Sequence, residues 1–193
     1  MIELVFATNN PNKLREVQAQ LPKGIQLISL KDIGCTEDIP ETQNTIEGNA
    51  LQKANYIKTK YNRDCFADDT GLEVDALDGA PGVHSARYAG PEKKAINNIK
   101  KLLNALENEP NRAAQFKTVI ALHFKGKSIQ FEGICKGEIV HKPTGAGGFG
   151  YDPIFRPLNY EQTFAELSLE EKNKIGHRGI AVAKLIQFFR QNQ

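Results

Sequence analysis

The sequence has few of the residues that build disulfide or zinc frameworks. Among its 193 residues there are three cysteines, Cys35, Cys65 and Cys135, which lie far apart and form no Cys-x-x-Cys pair. Disulfide-stapled and zinc-clustered classes therefore fit poorly, and a reducing compartment fits well. The first residues include neither a basic region nor an apolar stretch of signal length, so we predict a cytoplasmic location.

A strong excess of one charge and a long hydrophobic run are also missing. The sequence has 25 Lys and Arg against 23 Asp and Glu, which gives a formal net charge of +2. Nucleic-acid-binding domains usually carry a larger or more clustered basic excess. The densest basic run, residues 93–94 with 100–101, fits the solvated face of an amphipathic helix. We therefore expect neither nucleic acid nor a membrane as a partner.

What is present is an alternation of strand-like and helix-like patterns with no repeat or linker. The predicted strands cover 2–6, 25–30, 65–67, 72–77, 116–124 and 128–135. The predicted helices cover 14–21, 46–61 and 91–109, followed by two C-terminal pieces separated at 176–179. We predict one mixed α/β domain over residues 1–193, because a chain of this length buries a core without staples.

The loop after the first strand is a candidate anion site. It contains Thr8, Asn10 and Lys13 and is predicted to lie at the amino end of a helix. Backbone N–H groups at such an end favour an anion, and the lysine adds a point charge. The alternative is an Asn-rich turn with a surface lysine.

Asp68-Asp69 follows an apolar run and is a candidate metal site. Successive strand residues point to opposite faces, which predicts that one of the two carboxylates enters a site. Magnesium takes one or two protein carboxylates, and Glu41 is available as the second ligand. The alternative is that Asp69 caps the following turn.

Residues 145–150 spell G-x-G-x-x-G, but we reject a dinucleotide fingerprint. That motif opens a helix, whereas Tyr151-Asp152-Pro153 opposes helix entry. The remaining interpretation is a loop that presents Phe149 for stacking on a base, or one that Phe149 anchors from below.

Lys172, His177 and Arg178 are candidate donors to a carbonyl oxygen or a phosphate. A predicted helix break separates the lysine from the other two, so spacing alone does not bring them together. The alternative is that these residues are helix-end charges that favour the macrodipole.

In their order and spacing these segments closely resemble the inosine triphosphate pyrophosphatase family, also called Ham1-like. The resemblance runs from residue 4 to about residue 187. The segments that carry it are 7–16, 41–42, 49–50, 53–54, 67–77, 79–83, 85–90, 147–155, 171–172 and 177–179.

The resemblance implies a role for each matching residue. Asp69 matches the proton acceptor and magnesium ligand, and Glu41 matches a second magnesium ligand. Lys53 matches a phosphate contact, and Thr70 matches a substrate contact at which the family usually has Ser. The triphosphate loop comprises Thr8, Asn9, Asn10, Pro11, Asn12 and Lys13. The base-and-sugar segment and the rest of the base pocket comprise Phe149, Gly150, Tyr151, Asp152, Lys172, His177 and Arg178.

The resemblance also implies an elongated, two-lobed α/β domain built on a long mixed sheet, with flanking helices and a central cleft. It further implies that two copies of the chain form a homodimer. The implied activity is the Mg²⁺-dependent hydrolysis of ITP, dITP and XTP to a monophosphate and pyrophosphate. Alternatives are a non-catalytic nucleotide sensor and a pyrophosphatase for other modified nucleotides. Asn9 and Asn12 replace usual glycines; because Asn adopts left-handed backbone angles, we expect the loop to be retained. His84 replaces a common Tyr, and Gly176 replaces a common Ser.

Overall fold

Strands and helices alternate along the chain in the computed structural model, which describes residues 1–192. The strands of this part of the chain are β1 (Ile2–Phe6), β2 (Ile25–Ile28), β3 (Cys65–Val74), β4 (Pro81–Gly82), β5 (Ala113–Phe124), β6 (Lys127–Ile139) and β7 (Phe155–Pro157). The helices are α1 (Pro11–Gln18), α2 (Ile46–Tyr61), α3 (Ala95–Ala105), α4 (Leu169–Ile175) and α5 (His177–Gln191). None of the helices among these 192 residues is both long and apolar enough to cross a membrane.

The seven strands form one mixed sheet, which confirms the predicted α/β class. The strand order is β2-β1-β3-β5-β6-β7, with β4 paired to β3. Strand β1 runs parallel to β2 and β3, whereas β4 is antiparallel to β3 and β7 is antiparallel to β6. A two-residue turn at Lys125 and Gly126, both with positive φ, joins β5 to β6. Such turns match the twist of the strands that they connect.

The caps explain why three helices begin where they do. The Asn10 side chain accepts hydrogen bonds from Asn12 N and Lys13 N at the start of α1. Thr45 accepts from Gly48 N before α2, and Ser168 accepts from Glu171 N before α4. Each cap satisfies backbone donors that the helix itself leaves unpaired.

The chain divides into two compact units. The first unit contains residues 1–69, 118–133 and those from Arg178 onward, and the second contains 70–117 and 134–177. The core of the first unit includes the stacked rings of Phe6 and Phe66, whose centroids lie 4.4 Å apart. The core of the second unit includes Phe116, Phe155 and Phe164, which contact one another. One domain over 1–193 stays a prediction, and the described residues form these two internally packed units.

Several predicted element boundaries are wrong: the helices predicted over 14–21 and 91–109 are Pro11–Gln18 and Ala95–Ala105, and the strand predicted over 128–135 is Lys127–Ile139. Residues 65–74 form one continuous strand rather than the two predicted strands 65–67 and 72–77, because the carboxylates of Asp68 and Asp69 are accommodated within the strand by ion pairs with lysine and arginine side chains. The break between the last two helices is confined to Gly176, since His177 already belongs to α5.

Candidate active site

The loop that follows β1 is shaped by its own side chains. Asn10 has an extended backbone and caps α1, and Thr8 Oγ1 accepts a hydrogen bond from Asn10 N at 3.2 Å. The loop needs no left-handed asparagine: Asn12 is helical, and in the described chain neither Asn9 nor Asn12 has a positive φ. Pro11 occupies the first turn of α1, where its fixed φ suits the helix.

Lys13 leaves this loop and enters a buried cluster of charges within the first unit. Its Nζ lies 2.9 Å from Asp68 Oδ1, and the other oxygen of Asp68 lies 3.1 Å from Arg178 Nε. Arg178 also donates to the carboxylate of Glu16. Asp68, Arg178 and Glu16 are each at most 3% exposed. Two cations and two carboxylates therefore compensate one another away from water, as buried charges require.

Burial and charge act in opposite directions on this cluster. Burial raises the pKa of Asp68, but Lys13, Arg178 and Lys53 together outweigh burial and hold this pKa well below its usual range. Burial also lowers the pKa of Lys13, and Asp68 only partly reverses that shift. Asp68 is thus ionised and acts as the acceptor that orients both cations.

A second charged group in the first unit is built around Lys53 of α2. Its Nζ lies 2.5 Å from Glu41 Oε1 and 3.5 Å from Asp69 Oδ1. Burial opposes the charge on Lys53, yet Asp69 and Glu41 raise its pKa. The ammonium group of Lys53 therefore holds two carboxylates from separate parts of the chain close to it.

Asp69 has a spare acceptor. Its Oδ2 is buried and has no hydrogen-bond partner among the described residues, which is costly for a carboxylate. Burial raises the pKa of Asp69, and Lys53 only partly offsets that shift. Residues 1–192 contain no group of three or more His, Cys, Asp or Glu suited to a metal, but a hard divalent cation needs only one or two carboxylates beside water and phosphate oxygens. Asp69 and Glu41 fit such an ion.

The adjacent aspartates take different partners. Asp68 contacts residues of α1 and α5, whereas Asp69 contacts α2. This is the expected alternation of a strand. Both carboxylates nevertheless belong to clusters that contain a candidate phosphate-binding lysine, so Asp68 joins the candidate site as a residue that sequence reasoning set aside.

Glu16 is the other residue that sequence reasoning missed. It lies three positions after Lys13 on α1, a spacing that places two side chains on one face of a helix. That spacing indicates that Glu16 lies on the same face of α1 as Lys13. Its partner Arg178 lies 162 residues away, and no local pattern indicates that contact.

In the second unit the glycine-rich loop is organised by Asp152. Its Oδ2 accepts from Phe149 N at 2.7 Å and from Lys172 Nζ at 2.6 Å. Gly148 has a φ of +70°, and a Cβ there would collide with the Asp152 carboxylate. Close approach of backbone to side chain therefore requires a glycine at this position.

Phe149 is half-buried and carries a cation on one side. Lys172 Nζ lies 4.9 Å from the centre of the Phe149 ring and 5.5 Å from that of Phe164. These distances are within the range of cation–π attraction. The structure thus brings together three predicted base-pocket residues, Phe149, Asp152 and Lys172.

His177 and Tyr151 are buried in the aromatic core of the second unit. The His177 ring stacks on Phe116 with centroids 4.5 Å apart and planes 17° apart. Tyr151 donates its hydroxyl to Ser85 O at 2.8 Å. Gly150 has a φ of +62° and open space around it. Among the predicted base-pocket residues, Arg178 has its ion pairs with Asp68 and Glu16 in the first unit instead.

Comparisons with known proteins agree with one another. The model of the Ham1 family matches residues 4–188. A dITP/XTP pyrophosphatase of Flavobacterium johnsoniae is 63% identical over 185 residues, which cover 96% of each chain. One of Flavobacterium psychrophilum is 59% identical over 98% of this chain and 100% of the relative. The solved Ham1 protein of Staphylococcus aureus has a TM-score of 0.91 at 40% identity, with 99% of this chain and 100% of that chain covered.

Proposed function

The chain belongs to the Ham1 family, and from this premise we propose that it hydrolyses dITP, XTP and ITP to the nucleoside monophosphate and pyrophosphate. The observation that carries the proposal is the pair of largely buried lysine–carboxylate clusters in the first unit. Lys13 pairs with Asp68, and Lys53 pairs with Glu41 and Asp69. The ammonium groups of these two lysines suit the negative charge of a polyphosphate. The oxygen of Asp69 that lacks a hydrogen-bond partner in the described chain is an acceptor suited to its hydrolysis.

We assign the triphosphate contacts chiefly to side chains. Asn10 already accepts from the N–H groups of Asn12 and Lys13, so these two donors at the start of α1 are engaged. The ammonium groups of Lys13 and Lys53 supply the positive charge, and the hydroxyl of Thr8 adds a neutral donor. Charge neutralisation by positioned lysines is a main contribution of proteins to phosphoryl transfer.

We propose Mg²⁺ as the cofactor, held by Asp69 and Glu41. The buried Oδ2 of Asp69, without a hydrogen-bond partner in the described chain, supports a ligand there, and one or two carboxylates are the usual protein share of a magnesium site. When bound, the ion supplies charge neutralisation and lowers the pKa of a coordinated water.

We propose that Asp69 is the residue that accepts the proton of the attacking water. Lys53 lies 3.5 Å from Asp69 Oδ1 and favours its ionised form, which is the form that accepts a proton. Burial raises the pKa of Asp69 and so makes it a better base than an exposed carboxylate. Attack at the α-phosphorus accounts for pyrophosphate as the second product.

The second unit supplies the residues that we propose for the base. The half-buried Phe149 offers an aromatic surface, and Asp152 and Lys172 form a buried pair beside it. A 6-oxo purine presents an acceptor where adenine presents an amino donor. A site that offers donors at that position disfavours adenine, because two facing donors leave each other unpaired.

The experiment is a panel assay of the purified protein with Mg²⁺. We expect pyrophosphate release from dITP, XTP and ITP and far slower turnover of ATP, with Asp69→Asn as the inactive control. Orthophosphate as the first product would refute the proposed reaction. Binding without turnover would indicate a nucleotide sensor, and turnover confined to other modified nucleotides would indicate a different pyrophosphatase.

We also propose a cytoplasmic homodimer that requires neither nucleic acid nor a membrane. The support is the resemblance to the family together with the near balance of charges. Light scattering after gel filtration tests the assembly. A single species with the monomer mass of 21.4 kDa at micromolar protein would contradict the dimer.

A further inference from the structure

The segment that carries Glu41 lacks regular structure of its own. Residues 35–45, all within the described chain, contain neither helix nor strand. The Glu41 side chain is 33% exposed, although its Oε1 lies 2.5 Å from Lys53 Nζ. A carboxylate on such a segment is placed accurately only if other contacts hold its backbone.

Two side chains of α2 hold the residues that follow Glu41. Thr42 N donates to Gln52 Oε1 at 2.9 Å, and Gln52 Nε2 donates back to Thr42 Oγ1 at 2.9 Å. Gln43 N donates to Asn49 Oδ1 at 2.9 Å. The two backbone N–H groups after Glu41 are therefore both bonded to one helix.

A further anchor lies before Glu41. Glu37 Oε1 accepts from Tyr56 OH at 2.9 Å, from Lys60 Nζ at 2.5 Å and from Tyr61 OH at 2.8 Å. These donors also belong to α2. Glu41 thus lies between two sets of contacts to the same helix, and that helix also carries Lys53.

We propose that Gln52, through its reciprocal pair with Thr42, is a positioning residue that holds the Glu41 carboxylate for a divalent cation. The inference rests on the proposed function, in which Glu41 is a metal ligand. Gln52 directly precedes Lys53 in α2. This helix therefore fixes both the backbone of the Glu41 segment and the position of Lys53, whose ammonium group faces the Glu41 carboxylate. Residues that orient a ligand commonly change metal affinity when they are removed.

The first test compares Gln52→Ala with Asn55→Ala. Asn55 is an exposed amide on the same helix whose Oδ1 lies 2.7 Å from His123 Nε2, so it does not contact the Glu41 segment through that bond. We expect Gln52→Ala to raise the Mg²⁺ concentration for half-maximal activity by about tenfold. Turnover at saturating Mg²⁺ should recover to within about twofold, and Asn55→Ala should leave both quantities unchanged.

A second readout does not depend on turnover. Mn²⁺ takes the same oxygen ligands as Mg²⁺, and electron paramagnetic resonance reports its free concentration. We expect nucleotide-free Gln52→Ala to bind Mn²⁺ about tenfold more weakly than the parent protein. Unchanged Mn²⁺ binding in this variant would overturn the inference.

The double variant separates positioning from a general disturbance. If Gln52 acts through Glu41, then Gln52→Ala adds no further shift in Mn²⁺ binding to a Glu41→Gln protein. An additional shift of the same size in that background would overturn the inference. If Glu41→Gln by itself leaves Mn²⁺ binding unchanged, the metal assignment in the proposed function is refuted, and the inference falls with it.

Thr42→Val serves as the second variant in case Gln52→Ala does not fold. It removes the acceptor of Gln52 Nε2 while Thr42 N can still donate to Gln52 Oε1. We expect a shift in the same direction of about threefold, as for the loss of one exposed hydrogen bond. No shift in a folded Thr42→Val protein, verified by circular dichroism, would count against the reciprocal pair.

Discussion

The proposed site residues of the two units differ in the contacts that their side chains make. In the first unit the site residues are charged and compensate one another: Lys13 with Asp68, and Lys53 with Glu41 and Asp69. The second unit also has a buried ion pair, Asp152 with Lys172, but several of its contacts are aromatic: Lys172 lies over Phe149, and His177 stacks on Phe116. Removal of one member of a buried ion pair leaves the other charge uncompensated and lowers stability, whereas removal of one of two stacked rings loses only the contact between them. The charged region should therefore be the less tolerant of the two.

The largest expected effect is on stability in the charged region. Asp68→Asn should lower the free energy of unfolding by about 3–5 kcal/mol, because it leaves the buried cations Lys13 and Arg178 without their shared carboxylate. Urea unfolding measures this change. Glu138→Gln, which breaks the exposed pair with Arg156, is the matched control and should cost at most about 1 kcal/mol. Equal losses in the two variants would remove the contrast between buried and exposed pairs.

The next effect is on chemistry in the same region. Asp69→Asn should lower kcat on the order of 10²-fold or more, because it removes the proposed proton acceptor and a metal ligand together. The fold should be retained, since Lys53 keeps its shorter ion pair with Glu41 and Asp69 Oδ2 has no hydrogen bond to lose in the described chain. Asp75→Asn, an exposed carboxylate that follows β3, serves as the control. Near-normal turnover of Asp69→Asn at saturating Mg²⁺ would refute the assignment.

Phe149→Ala tests the aromatic region, where we expect a smaller loss. Removal of a base-stacking ring costs about 1–3 kcal/mol, so kcat/KM for ITP and for ATP should fall by similar factors. The structure adds that the ring lies 4.9 Å from Lys172 Nζ, so Phe149→Leu is needed as the variant that keeps apolar bulk. A loss for ITP alone would show that Phe149 contributes to base selectivity rather than to stacking.

The features of the fold that the sequence predicts are those fixed by contacts between residues close in sequence. Helix α2 was predicted at 46–61, where it lies, because its periodicity and its Thr45 cap are local signals. The sequence predicts strand β3 as two pieces, because the apolar run ends at Asp68 and the apolar alternation resumes only at Leu72. The structure keeps Asp68 and Asp69 in the strand by pairing them with Lys13, Lys53 and Arg178.

The same distinction applies to the site residues. The Asn10 cap of α1 is a contact between near neighbours, and the sequence pattern indicated that loop. The bond from Arg178 to Asp68 spans 110 residues, and no spacing rule indicates it. Charged partners far apart in sequence are selected by tertiary packing, so the cluster around Asp68 was found only in the structure.

The smallest expected effect is at Thr70, which follows Asp69 on β3 and is the first residue of the second unit. The family resemblance implies a Ser at this position, and Thr keeps the hydroxyl while its branched Cβ suits a strand. Thr70→Ser should therefore leave kcat/KM within about twofold, whereas Thr70→Val, which keeps the shape and loses the hydroxyl, should lower it by about three- to tenfold, the equivalent of one hydrogen bond. If the hydroxyl serves the phosphates or the sugar, ITP and ATP should be affected alike, as expected for a contact that is shared by all substrates. A Thr70→Val loss confined to ITP would instead group Thr70 with the base-selective residues of the second unit.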